Sequence, residues 1–254
     1  MPARATGKIF VGVGGWDYAP WRDTFYPKTV TKAQQLHYAS RQLTSTEINS
    51  TFYRLQKPDT FQKWHDDTPD DFVFSLKAPR FVTNRNLLAT AGSSIEKFLD
   101  SGIVKLGAKL GAINWQLAPE KQCDLDDLAA FLELLPVKLD GRPLRHAVEL
   151  RNESFATDAV TELARKYQVA IIEAGDSAYP HIDAHTAPFS YLRVMGSKAD
   201  APKGYTPAAL ARWRKHAQEL AEHGDVYFYF ISGAKERNPL AALALLESLE
   251  SRSG

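Results

Sequence analysis

Short apolar, β-branched or aromatic runs recur along this chain at roughly thirty-residue intervals, with helix-like segments between them. The runs are "KIFVGVG" (8–14), "STEINS" (45–50), "FVFSLKA" (72–78), "GAINWQL" (111–117), "HAVELR" (146–151), "VAIIEAG" (169–175), "FSYLRVM" (189–195) and "VYFYFIS" (226–232). Eight strands alternating with helices over 254 residues predict an α/β fold, a single-domain (β/α)8 TIM-like barrel filling 1–254 with its core at 8–248. An open doubly wound sheet is the structural alternative. It normally carries a glycine-rich phosphate turn, and "GVGGW" (12–16) does not have that spacing.

The intervening segments carry helix signals. "TKAQQLHYASRQL" opens with a capping box, Thr31 followed by Gln34. "PDTFQKWHDD" starts on Pro58, where a first helical turn tolerates it. "LDDLAAFLELLP" places Leu125, Leu128, Phe131, Leu132 and Leu135 on one stripe and stops at Pro136. "TDAVTELARKYQ", "TPAALARWRKHAQELAEHG" and "NPLAALALLESL" complete the set, whereas "DSAYPHIDAHTAP" (176–188) shows no helical pattern.

Side chains on a strand alternate between faces, and the apolar set must meet the outer helices. That requirement turns Ala147, Glu149 and Arg151 inward in the fifth strand and Val73, Ser75 and Lys77 inward in the third. Glu47 and Asn49, Asn114 and Gln116, Tyr191, Arg193 and Met195, and Tyr227 and Tyr229 follow by the same test. Many of these polar groups lie late in their strands, and barrel sites are built from those strand ends. The expectation is a shared, solvent-reachable cup at the carboxyl-terminal face. A purely structural reading pairs Glu47 with Lys77 and Glu149 with Arg193, because a buried charge without a partner is costly.

Composition narrows the function classes. The chain is 44% hydrophobic and 24% charged with a formal net charge of +1, so it lacks the basic excess that nucleic-acid or membrane-surface binding normally needs. No apolar run approaches a membrane-spanning length, and the N-terminus lacks a signal-peptide core. One cysteine, Cys123, allows no intrachain disulfide and fits a reducing, cytoplasmic setting. It is expected to be a packed thiol. "HIDAH" offers His181, Asp183 and His185 without a helix to align them, so no metal site is expected, and no cofactor motif is present.

Two aromatic groups flank the predicted mouth: Trp16, Tyr18, Trp21, Phe25 and Tyr26 in the first loop, and Phe52 and Tyr53 after the second strand. Rings there stack on a ligand or close the barrel top. Lys77, Arg151 and Arg193 suit an anionic or strongly polar group. A Schiff base at Lys77 is conceivable in a barrel but disfavoured, because the nearby Glu47 would keep the amine protonated.

The segments "GVGGWDYAPWRDTFYP" (12–27), "TEINSTFYR" (46–54), "FSLKAPRFVT" (74–83), "WQLAP" (115–119), "VELRNESF" (148–155), "YLRVMG" (191–196) and "VYFYF" (226–230) resemble the YecE-like family, a domain of unknown function. The resemblance runs from about residue 9 to 245 and implies a (β/α)8 barrel with a pocket but no settled reaction. This chain departs from the family pattern at Gly14 (Ser expected), Asn152 (His), Phe155 (Trp), Met195 (His) and Ile231 with Ser232 (an amide pair). A mechanism that uses those imidazoles is therefore not expected here.

The functional expectation is a metal-independent enzyme with hydrolase- or lyase-like acid/base chemistry on a small polar or anionic ligand. Glu47, Glu149 and Lys77 are the catalytic candidates. Trp16, Tyr18, Asn49, Tyr53, Gln116, Arg151, Arg193 and Tyr229 are the candidates for substrate binding. The missing imidazoles motivate a ligand-binding or sensor module without turnover as the alternative, with metal-dependent phosphodiester or sugar chemistry as a third possibility.

Overall fold

Parallel strands cannot be joined by tight turns, so each must be followed by a crossover, and the helix-forming segments supply nearly all of them. The computed structural model describes residues 6–251. Its main strands are β1 (Ile9–Gly14), β2 (Ser45–Ile48), β3 (Val73–Lys77), β4 (Leu110–Gln116), β5 (Arg145–Glu149), β6 (Ala170–Ile171), β7 (Phe189–Val194) and β8 (Asp225–Phe230). The helices between them are α1 (Gln35–Ala39), α2 (Pro58–Asp67), α3 (Gly92–Leu99), α4 (Leu125–Glu133), α5 (Asp158–Lys166), α6 (Pro207–Ala221) and α7 (Asn238–Glu250).

The strands pair in the order β6-β5-β4-β3-β2-β1-β8-β7, and every pair is parallel. Glu173, just beyond β6, closes the ring. Its N–H donates to the Tyr191 carbonyl and its carbonyl accepts from the Arg193 N–H, both at 2.9 Å. This is the (β/α)8 barrel expected from the alternation of segments. Among the described residues no helix is long and apolar enough to cross a membrane.

Local chemistry sets the helix starts. Asp124, Thr157 and Thr206 accept main-chain N–H groups at the first turns of α4, α5 and α6, satisfying donors that a helix leaves unpaired. At the Thr31 start, the Gln34 side chain accepts the Thr31 N–H at 3.0 Å, and a short 3-10 turn (Lys32–Gln34) precedes α1. The buried Lys109 ammonium donates to the carbonyls of His65 (2.6 Å) and Thr68 (2.7 Å), where the end of α2 presents unpaired acceptors.

Several elements differ from the sequence reading. β2 ends at Ile48, and Ser50–Tyr53 form a single helical turn rather than the start of a rim loop. Helix α3, a 3-10 stretch (Ile103–Lys109) and a small hairpin (Lys138–Leu139 with Arg142–Pro143) carried no recognised pattern. Leu125 is 40% exposed, so the apolar stripe of α4 begins at Leu128. As the sequence reading expected, residues 175–188 form no helix, and the seam between β6 and β7 lacks a crossover helix of its own.

The apolar residues divide between two cores. The larger lies between strands and helices and includes Phe74, Leu76, Ile113, Trp115, Val148, Leu192 and Phe228. The smaller fills the bore with Val73, Ala112, Ala147, Ala170, Tyr191, Tyr227 and Tyr229. This split confirms the inward and outward register assigned to the strands. Gly12 faces a close approach of β2, since a Cβ there would lie 2.0 Å from the Ser45 carbonyl oxygen.

Behind β4, the Trp115 indole donates to His146 Nδ1 at 3.0 Å, and His146 Nε2 lies 2.9 Å from the Pro136 carbonyl. These partners require a neutral imidazole with its proton on Nε2. Burial holds its pKa down at about 4, against an ordinary 6.5. Between those values the unfolded chain takes up a proton that the folded protein refuses, so stability falls as pH drops through that window. We expect this acid-side slope in denaturant titrations to flatten in His146→Gln, which retains an acceptor and a donor. An unchanged slope would place the sensitivity elsewhere.

Candidate functional site

The late positions of the strands bring their polar side chains to one end of the bore. β2 contributes Glu47, β3 Ser75 and Lys77, β4 Asn114 and Gln116, β5 Glu149 with Arg151 just beyond it, and β7 Tyr191 and Arg193. At their centre is Arg193, only 2% exposed. Its Nη1 donates to both Glu149 oxygens, at 2.8 and 2.7 Å, and its Nη2 donates to Glu47 Oε1 at 3.0 Å. The remaining Glu47 oxygen accepts from Tyr191 Oη at 2.6 Å and Asn114 Nδ2 at 3.2 Å. Glu149 Oε1 also accepts from Arg151 Nη2 at 3.0 Å. Every carboxylate oxygen in the cluster is therefore engaged, as two buried anions require.

The electrostatics follow from these contacts. Burial pushes the Glu47 carboxyl up, but Arg193, Lys77 and the hydrogen bonds from Tyr191 and Asn114 outweigh it, and the net effect is a lowered pKa. Burial and the adjacent Glu47 hold the Tyr191 hydroxyl well above its ordinary value, so it remains a donor. For Arg193, burial alone would lower the pKa, and Glu149 and Glu47 raise it instead.

Lys77 does not pair with Glu47 as the structural reading supposed. The strand register places Ser75 beside Glu47 and carries Lys77 further toward the mouth. Its ammonium lies 3.9 Å from the centre of the Phe52 ring, whose short helix is held where the Thr51 hydroxyl donates to the Lys77 carbonyl at 2.7 Å. Lys77 is 9% exposed and makes no ion pair among the described residues, while both nearby carboxylates are taken by arginines. Burial first, then the Arg193 charge, lower its pKa to about 8, against the partial opposition of Glu47 and Glu149.

The side chains expected to converge do so, but as sealed charges. Glu47 and Glu149 are fully buried, and the groups that approach solvent are Lys77, Gln116 and Arg151. Arg151 stacks on Tyr179, 4.3 Å from its ring centre, a contact from the 175–188 segment with no signal in the sequence. Asn49 is half-buried, and its amide nitrogen lies 2.6 Å from where a Cβ on Gly14 would stand. Tyr229 sits deeper in the bore and shares hydrogen bonds with Ser45 (2.7 Å) and Ser75 (2.8 Å).

Three other candidates lie apart from this group. Trp16 packs edge-on against Trp64 and Phe74 on the helix-facing side. Tyr18 packs against Trp21 under the Lys235 ammonium, and Tyr53 is 68% exposed. Tyr191, Asn114 and Phe52, which the site assignment omitted, make direct contacts in the cluster. The inward register had already pointed to the first two. Among the described residues no three His, Cys, Asp or Glu side chains are grouped to hold a metal ion. A separate groove of about 1050 Å³ lies between the loop after β7, α6 and the end of β6, lined by Glu173, His181, Tyr205, Trp213 and His216 among others.

A parallel barrel with an arginine-bridged pair of carboxylates buried at the carboxyl ends of its strands places this chain in the (β/α)8 barrel class. The family model described as "Protein of unknown function DUF72" matches residues 10–254, and the chain belongs to that family. It is 26% identical to UPF0759 protein YunF of Bacillus subtilis (strain 168) over 253 residues, covering 87% of this chain and 88% of that protein. It is 28% identical to UPF0759 protein YecE of Escherichia coli (strain K12) over 148 residues, covering 58% of this chain and 50% of that one. A crystal structure of a DUF72 family protein from Thermotoga maritima aligns with a TM-score of 0.75 at 19% identity, covering 96% of this chain and 99% of the other. One from Enterococcus faecalis gives 0.72 at 14% identity, covering 97% and 96%. At these identities the two structures establish the shared fold.

Removing Arg193 would strand two buried anions. We expect Arg193→Met to cost about 3–5 kcal/mol in chemical denaturation, and a triple variant adding Glu47→Gln and Glu149→Gln to recover most of that loss. A triple variant no more stable than the single one would show that guanidinium packing, rather than charge pairing, holds the cluster.

Proposed function

We propose that the chain is a metal-independent enzyme that moves a proton on a small polar or anionic substrate at the carboxyl-terminal mouth of the barrel. The observation that carries this reading is Lys77: an inward lysine, almost buried, left without an ion pair among the described residues beside two carboxylates that are fully occupied. A pKa of about 8 keeps both of its protonation states accessible near neutral pH, which general acid/base transfer needs.

In this reading the catalytic trio divides its labour. Lys77 carries the proton. Glu47 and Glu149 accept hydrogen bonds at every oxygen, so they supply a fixed negative field instead of exchanging protons themselves. Arg151, Gln116 and Asn49 are placed to orient the substrate, Arg193 positions the two carboxylates, and Tyr229 supports the floor through Ser45 and Ser75. Trp16 and Tyr18 serve as packing for the first loop, and Tyr53 lies outside the working set. The saturation of both carboxylates favours a second reading, a ligand-binding module without turnover.

Two measurements test the proposal. Below about pH 8 the folded protein holds a Lys77 charge that its surroundings disfavour, at a cost of about 3 kcal/mol relative to an ordinary lysine of pKa 10.5. That cost fades as pH rises from the folded value toward the unfolded one, so stability rises over this window. Lys77→Met should therefore be more stable than the parent at pH 7, by an amount that shrinks toward pH 10. The same variant should lose the melting-temperature rise given by a panel of small carboxylates and phosphate esters, and lose turnover of any member that reacts. Full turnover in Lys77→Met would sink the enzyme reading as stated. Lysine-dependent binding with no turnover across the panel would favour the binding module.

A further inference from the structure

Resting on the mouth reading above, we infer that Lys77 forms a covalent imine with the carbonyl carbon of a small oxo acid, whose carboxylate is held by Arg151. The sequence suggested that Glu47 would keep the amine charged. The structure weakens that objection, because Arg193 takes Glu47 and Glu149 together and the strand register lifts Lys77 past them, so their pull on its charge is outweighed by burial and Arg193. The Lys77 amine lies over the Phe52 ring at the carboxyl ends of the strands, 3.9 Å from its centre.

The charged groups facing Lys77 come from three strands: Glu47 on β2, Glu149 with Arg151 at the end of β5, and Arg193 on β7. While Lys77 is protonated, three cations against two carboxylates leave one net positive charge, which favours a substrate bearing one negative charge, and the amine gives that proton to solvent before it attacks. Arg151 is the natural seat for that charge. One arm of its guanidinium is committed to Glu149, its face rests on Tyr179, and its Nε finds no acceptor among the described residues. Arginine's planar fork suits a carboxylate.

The step balances without any further reagent. The neutral amine donates its electron pair to the carbonyl carbon, the carbon–oxygen double bond gives way to a carbon–nitrogen one, and the two amine protons leave with the oxygen as water. When the imine takes a proton, the attraction of Glu47 and Glu149 offsets part of the cost that burial and the Arg193 charge impose on a cation at this nitrogen. The carboxylates thus assist the adduct without giving up their own hydrogen bonds. At pH 7 this lysine holds about 300-fold more neutral amine than one with the ordinary value.

Incubation of the whole protein with glyoxylate and sodium cyanoborohydride, followed by peptide mapping, tests the inference. The expected result is a reduced adduct at Lys77 that forms faster than at any exposed lysine at pH 7 and whose rate levels off above about pH 8. Arg151→Met should slow labelling by glyoxylate at least tenfold more than labelling by the uncharged glycolaldehyde. Equal slowing would remove the oxo acid from the proposal. Labelling of Lys77 no faster than the surface lysines would overturn the imine. If glyoxylate nevertheless raises the melting temperature of the parent and not of Lys77→Met, the acid/base reading survives that failure. If neither glyoxylate nor the wider anion panel does so, both fall together.

Discussion

One guanidinium organises the upper half of this barrel. Arg193 joins a carboxylate from β2 to a carboxylate from β5, so strands far apart around the cylinder are tied through its centre. Ion pairs of this kind seldom add net stability over apolar packing, because desolvation consumes most of the attraction. What the bridge supplies is definition. With every oxygen of Glu47 and Glu149 fixed, neighbouring groups experience a set field instead of two wandering charges. Lys77 is the group most affected, since it inherits a dry setting and loses the partners it would otherwise have claimed.

The second strand and the turn after it form one unit. Glu47 is buried under Arg193, Tyr191 and Asn114, while two residues later the chain abandons extended geometry and winds into Ser50–Tyr53. The Thr51 hydroxyl fastens that turn to the Ile48 and Lys77 carbonyls, and Phe52 is thereby set against the lysine. The run "STEINSTFYR" thus encodes a strand end, a buried anion and an aromatic shield. Gly14 and Ile231 meet the same region, for a Cβ on Gly14 would approach both the Asn49 amide and the Ile231 side chain.

Much of the fold was legible because burial imposes a period. Alternating apolar residues identified all eight barrel strands and told the bore-facing side chains from the helix-facing ones. Where no period exists, the sequence was silent. Helix α3 opens on Gly-Ser-Ser and offers little propensity in its first turn, and the contact of Tyr179 with Arg151 comes from a segment with no repeat. The expected pair of Glu149 with Arg193 forms, but the other pair was misassigned for a geometric reason. Alternation gives the face of a strand but not the height of a residue against its neighbour, so Glu47 was matched with Lys77 although Ser75 stands beside it. The aromatic first loop was ambiguous for a similar reason, since a ring that packs behind β3 and a ring that lines a cavity have the same composition.

The seam between β6 and β7 has no helix across it, and a single residue serves both of its surfaces. Glu173 stitches the two strands with its main chain, and its carboxylate grips His216 of α6 at 2.7 Å, raising the pKa of that imidazole. The ring is therefore buckled shut at one point while its other joints are laced along several residues. A disturbance at this buckle would travel inward through the Arg193 main chain, which hangs from Glu173, and so reach the guanidinium that ties the charged centre together.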